Sequence, residues 1–389
     1  MPALAARAGQ LGTESAFEVL ARAQALEAQG RDVLHLEIGE PDFPTPPHVV
    51  AAARRSLEAG ETRYVQSAGV PALRSAIAAH VRQRHGVAVG PERVIVTAGA
   101  KPVLLFTILA TVDPGDEVLL PDPGFPIYES AVRFAGGVPV PVPLRPENAF
   151  RMRAEDVAAR SGPRARLLIC NSPGNPTGSV IGEEDARKLV ALAAERDMWL
   201  LSDEIYGRLA YGPAPSLFAQ PGAEARTVLL DGFSKAHAMT GWRLGYGVVP
   251  PALVETFVRL MVNSVSCVPP FVQAAGLAAL TGPQDHVDAM RAEFRRRRDF
   301  LTDALNAVPG LRCGVPDGAF YVFPDVRALG RPSAEVADRL LQEAGVAVLP
   351  GTCFGPGGEG HLRLSYAASP ATLAAAVSQI GAWVRASRG

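Results

Sequence analysis

Residues 231–247, DGFSKAHAMTGWRLGYG, carry a lysine, Lys235, and an arginine, Arg243, directly after an apolar stretch at 227–230 that reads as a strand. Ligands of open α/β sheets bind beyond the carboxyl ends of the strands, so this placement puts Lys235 where a ligand would sit. A lysine amine there can condense with an aldehyde to give a Schiff base. An arginine nearby can hold a phosphate through two parallel charge-assisted hydrogen bonds. The pair therefore points to an aldehyde cofactor that bears a phosphate, which describes pyridoxal 5'-phosphate.

Other strand-like runs also end in polar residues suited to that cofactor. Residues 94–96 lead into TAGAKP, where Ala98, Gly99 and Ala100 are small enough for backbone N–H groups to approach an anion at the start of the next helix. Residues 167–170 lead into NSPGNPTG, whose Asn175–Pro176 bond is a candidate for the cis form. Residues 199–201 lead into SDEIY, which holds Asp203 and Tyr206. An acidic residue at that point either caps the following helix or keeps a pyridine nitrogen protonated.

The elements that must position these groups follow from the alternation of short apolar runs with helical segments. Runs at 94–96, 118–120, 167–170, 199–201 and 228–230 are separated by intervals long enough for crossovers, which predicts an α/β fold with a mostly parallel sheet covered by helices on both faces. Upstream, 15–30 reads as an amphipathic helix stopped by Gly30, followed by a strand at 33–38 and the turn GEPDFPTPP. Beyond Gly282 the texture changes to a long charged helix and short strands at 319–323, 347–349 and 362–365. We expect three parts: 1–45, an arm that folds back onto the C-terminal domain; 46–282, the large domain; and 283–389, a smaller domain. The cluster Arg295 to Arg298 reads as a solvated helix face.

Composition excludes several classes. With 389 residues, 20% charged and a formal net charge of -1, the chain has room for two domains and no bias toward nucleic acid or acidic membranes. The four cysteines are scattered, which suits neither a zinc site nor a disulfide framework and points to a reducing cytoplasm; no metal is expected. We read no export signal and no membrane anchor.

NSPGNPTG, SDEIY and SKAHAMTGWRLGY, in this order and at these separations, resemble the class I/II aminotransferases of fold type I, the aspartate aminotransferase superfamily. The resemblance runs from LEIGEPDFPTP to PGTCFGPGGEGHLRLSYA and covers nearly the whole chain. It implies a large domain with a mostly parallel seven-stranded sheet, a smaller α+β domain, pyridoxal 5'-phosphate as cofactor and a homodimer. Lys235 would then form the Schiff base and carry the proton to and from the substrate Cα, and Asp203 would pair with the pyridinium nitrogen. Tyr206 and Asn175 would bond the phenolic oxygen, and Phe125, in DPGFPIY, would stack on the ring. Arg243 would clamp the phosphate with the backbone amides of Ala100 and Lys101, and Tyr64 would reach the phosphate of the partner subunit. At Gly232 many members have a hydroxyl residue, which leaves one phosphate hydrogen bond open; Ser234 nearby would either stand in for it or pack locally. Arg363 would bind the substrate α-carboxylate, with backbone contact from Gly39 and with Asn175 and Phe125 beside it. His237 and Trp242 read as wall residues.

The activity so implied is ping-pong transamination between an L-amino acid and a 2-oxo acid, with glutamate and 2-oxoglutarate as one pair and aspartate as another possible donor. Whether Lys101 takes a distal carboxylate stays open. A β-lyase would use the same lysine, aspartate and arginines. A non-catalytic regulator would need a DNA-binding domain for which the match leaves no room, and the nicotinamide-binding Gly-x-Gly-x-x-Gly is missing from the early strands.

Overall fold

The computed structural model describes residues 2–387. Its central sheet has seven strands: β2 (Val94–Thr97), β3 (Glu117–Asp122), β4 (Val138–Pro143), β5 (Ala165–Asn171), β6 (Trp199–Asp203), β7 (Thr227–Gly232) and β8 (Gly245–Val248). A short strand, β1 (Leu34–His35), precedes them. The order across the sheet is β2-β8-β7-β6-β5-β3-β4, and β8 alone runs against its neighbours. The strands are near-continuous apolar runs because helices cover both faces: Ile95, Leu201 and Val228 point to one side, Leu119, Leu168 and Leu200 to the other. From β3 the chain first moves outward to β4 and then returns to the opposite side as β5. The crevice left at that reversal lies between the loops that carry Phe125 and Asn175.

The C-terminal strands β9 (Tyr321–Val322), β10 (Val346–Ala347), β11 (Leu349–Pro350) and β12 (Leu362–Ser365) are shorter. β12 lies between β11 and β9 in an antiparallel sheet, whereas β10 pairs in parallel with β1. The single strand expected at 347–349 is thus two, belonging to different sheets with Val348 at the crossing. Leu36 is buried with Phe294, Leu301, Phe320 and Trp383, and Ala23 and Leu26 of the helix Ser15–Glu27 pack on Leu341 and Ala347. Gly30, at φ 82, turns the chain out of that helix.

Two central strands escaped the sequence reading for opposite reasons. β4 reads VPVPVP; it is an edge strand, where prolines that lack an N–H cost no ladder bonds on the open side. β8 reads GYGV, and a Cβ on Gly245 would come within 2.5 Å of the Ala100 nitrogen, so the glycine is set by backbone approach. The arginine cluster needs a correction as well: Arg297 and Arg298 are buried, not solvated. Arg297 donates to both carboxylate oxygens of Asp42 at 2.7 and 2.9 Å and lies against Phe43 and Phe294. Arg298 donates to the Pro316 carbonyl at 3.1 Å. Planar guanidinium groups can be buried this way when their donors are filled. Among the described residues no helix is long and apolar enough to cross a membrane.

Candidate active site

A cavity of about 530 Å³ opens at the carboxyl ends of the central strands and is closed on its other side by residues from the turn after β1 and from β12. All of the expected site residues line it except Tyr64, which is 88% exposed and lies elsewhere on the chain's surface.

Lys235 follows β7, and its Nζ donates to the Gly39 carbonyl at 2.6 Å. Burial lowers its pKa to about 8, with the cationic Arg363 and Arg243 contributing in the same direction and Glu40 opposing. A lysine so tuned is neutral often enough near neutral pH to act as nucleophile and base. Asp203 ends β6, the strand beside β7. Burial raises its pKa to about 6, while hydrogen bonds from the Tyr128 hydroxyl (2.6 Å) and the Ile205 N–H (3.2 Å) hold it down. It is therefore mostly ionised at neutral pH and offers a buried negative charge. Tyr128 was not singled out from sequence; its signal was its place as the second residue of the helix Ile127–Phe134, just after Phe125, whose ring it meets edge-on at 5.5 Å.

Arg363 on β12 is buried between the rings of Tyr321 (4.5 Å) and Phe354 (5.0 Å). Its Nη1 donates to Asn175 Oδ1 at 3.1 Å and its Nη2 to the Glu37 carbonyl, while Nε is buried with no partner. A buried guanidinium donor without a partner is costly, so the position of Arg363 is not explained by its protein contacts alone. Gly39 must be glycine, because a Cβ there would sit 2.1 Å from the Tyr321 hydroxyl. Tyr321, also missed by sequence reading, bonds the Tyr206 hydroxyl at 2.8 Å. Asn175, which precedes a cis bond to Pro176, is held by its backbone N–H on Asn171 Oδ1 at 2.8 Å.

Arg243, with φ 52, donates to the Thr240 carbonyl at 2.8 Å and lies across the turn before the helix Lys101–Thr111. A Cβ on Gly99 would be 2.2 Å from Arg243 Nη2, and Gly99 itself has φ 86. The guanidinium thus rests on bare backbone beside Ala100, Lys101 and the positive end of a helix, a ready anion cradle. Gly99→Ala should weaken phosphate binding at least ~tenfold by adding a clash to backbone strain of ~1–3 kcal/mol. Titration of the apoprotein with pyridoxal phosphate reads this, and equal affinity would remove Gly99 from the cradle. Ser234 is buried on the same cavity. Gly232 faces Gly245 across β7 and β8, where a Cβ would lie 3.0 Å from the Gly245 Cα, so tight strand packing accounts for the missing hydroxyl.

Phe125 forms one wall, with Lys101 Nζ 5.8 Å from its ring centre. The Lys101 ammonium is paired with Glu14 at the rim. His237 and Trp242 bond His286 and Thr45 respectively and do not line the cavity.

A low-pKa lysine, a buried carboxylate, an anion cradle and an unfilled arginine donor on one cavity fit pyridoxal phosphate and an amino-acid carboxylate together. The comparisons agree. The profile for aminotransferases of class I and II matches residues 31–380. An aspartate/prephenate aminotransferase of Thermus thermophilus is 42% identical over 384 residues, 97% of this chain and 98% of that protein. An arginine–pyruvate transaminase of Pseudomonas aeruginosa is 42% identical over 351 residues, 90% of this chain and 89% of that one. The structure of a Thermus thermophilus aspartate aminotransferase with maleate superposes with a TM-score of 0.94 at 41% identity, covering 98% of this chain and 100% of that one. The chain belongs to the class I and II aminotransferase family, fold type I enzymes that work with pyridoxal 5'-phosphate.

Proposed function

We propose that this aminotransferase moves the amino group of an L-amino acid to a 2-oxo acid by double displacement, with Lys235 as covalent anchor and proton carrier, Asp203 as partner of the ring nitrogen and Arg363 as the α-carboxylate site. The observation that carries the reading is the convergence of those three side chains on one cavity. Bound there, pyridoxal phosphate supplies an aldehyde for amine condensation and a ring that accepts electrons from the substrate Cα. Lys235 takes the Cα proton as its amine and returns it as its ammonium. Asp203, kept ionised by Tyr128 and Ile205, favours a protonated ring nitrogen. With the cofactor bound, Tyr206 and Asn175 would hold the phenolic oxygen, Phe125 would cover the ring, and Arg243, Ala100, Lys101 and Ser234 would hold the phosphate.

Arg363 and Gly39 orient the α-carboxylate while Tyr321 and Phe354 keep water from the guanidinium. For Arg363→Lys we expect kcat/KM to fall by roughly a hundredfold, since a bidentate buried contact is worth ~2–5 kcal/mol. Steady-state kinetics with alanine as donor measure this; a change under threefold would move the carboxylate elsewhere.

Glutamate and 2-oxoglutarate are proposed as one substrate pair, because the second half-reaction needs a common amino donor, with aspartate as another donor. The naming of relatives for aspartate supports the latter. We read 1–45, 46–282 and 283–389 as arm, large domain and small domain, and two copies as the working unit, the exposed Tyr64 of each reaching the other's phosphate cradle. Four unpaired cysteines suit the cytoplasm. The test is a half-reaction screen: single amino acids added to the holoenzyme should bleach its visible absorption band and release the matching 2-oxo acid. Pyruvate with ammonia would instead establish β-elimination.

A further inference from the structure

Once the cofactor phosphate is assigned to Arg243, the ring nitrogen to Asp203 and the α-carboxylate to Arg363, the charged groups left on the cavity wall are Glu40, which accepts from the Thr240 hydroxyl, and the pair Lys101 and Glu14. The latter two are bound to each other. Glu14 stands immediately before the helix Ser15–Glu27, yet its side chain does not cap that helix; it turns across the opening to the Lys101 ammonium at the start of another helix. Its side chain is 20% exposed against 51% for Lys101, so the carboxylate is the more enclosed partner. Both groups line the same cavity as Arg363 and Lys235, so the pair shares the space that a bound amino acid enters.

We propose that Glu14 is a specificity-determining residue of the aminotransferase site: its carboxylate occupies Lys101 and sets a penalty on substrates with a distal carboxylate relative to those with uncharged or cationic side chains. This rests on the transamination reading above. A dicarboxylate that seeks Lys101 competes with an intramolecular carboxylate already in contact, which acts at high effective concentration. It also brings a second negative charge beside Glu14, and such like-charge placement is a means of rejecting ligands rather than of gaining affinity. An uncharged side chain leaves the pair intact, and a cationic one gains Glu14 as a partner.

The test uses the holoenzyme and Glu14→Gln, which keeps the shape and removes the charge. Calorimetric titration with succinate and with butyrate, neither of which can react, reads binding without turnover. The ratio of succinate to butyrate affinity should rise about tenfold in Glu14→Gln. The gain should vanish when Lys101→Met is added, because it works through the released ammonium. In kinetics, the ratio of kcat/KM for glutamate to that for alanine should rise by a similar factor, mainly through KM, and the ratio for arginine to alanine should fall. Equal changes for succinate and butyrate, or none, overturn the proposal. Retained butyrate binding shows that the variant is folded. Failure of the wild-type holoenzyme to convert any amino acid would overturn the transamination reading instead, whatever the binding ratios.

Discussion

Lys235→Ala should cost about 10³- to 10⁴-fold or more in transamination and remove the visible absorption that a lysine-bound cofactor gives the protein. The size follows from two roles in one side chain. The amine anchors the cofactor covalently, and it moves the Cα proton, so no neighbour replaces it: Tyr206, the nearest other candidate on the cavity, is held far above its usual pKa by burial. Absorption spectra of the purified variant with added pyridoxal phosphate, and its single-turnover rate with alanine, provide the check; an unchanged spectrum would sink the assignment of Lys235. The pH dependence has a definite sign. The Lys235 pKa is lowered from 10.5 to about 8, so the amine gains its nucleophilic neutral form as pH rises through about 8. Capture of the aldehyde by the apoprotein should therefore accelerate from pH 6 to 9 with a midpoint near 8. A midpoint near 10 would mean that the lysine is not desolvated.

For Asp203→Asn the expected loss is about 10²- to 10³-fold in kcat, with Asp203→Glu recovering part of it. Asparagine keeps size and hydrogen-bonding capacity, so the change isolates the charge. In wild type the buried carboxylate, between strands that exclude water, interacts with a protonated ring nitrogen at a low effective dielectric. Burial pushes its pKa up to about 6 in the apoprotein, and the ring cation draws it lower in the holoenzyme, where protonation at still lower pH removes the same function. The pH–rate profile of wild type should therefore fall on the acid side below 6, whereas Asp203→Asn should lack that limb. A pair of identical acid limbs would assign the titration to another group and leave Asp203 a structural carboxylate.

The placement of these groups shows which kind of information was local. Lys235, Asp203, Asn175 and the Gly99 turn each follow an apolar run directly, and a run of that kind must be a buried strand; its carboxyl end is then a site by topology. That inference needs only neighbours in the chain. Arg363 and Gly39 were reached through resemblance: the strands near them, at 362–365 and 33–38, were legible, but nothing beside either residue in sequence assigns it a ligand. Tyr128 and Tyr321 look like ordinary core aromatics, and nothing near them in sequence indicates that their hydroxyls meet Asp203 and Tyr206.

Sequence by itself determined the cofactor chemistry and the α/β class, since a lysine, an aspartate and an asparagine at strand ends and an arginine just beyond one are local facts. Tertiary structure alone decided the charges. How far Lys235 and Asp203 are shifted, that Arg363 has an unfilled donor, that Arg297 is buried, and that Glu14 closes on Lys101 all depend on groups distant in sequence that share a low-dielectric space. Burial and pairing are properties of that space, and no segment contains them before the chain folds.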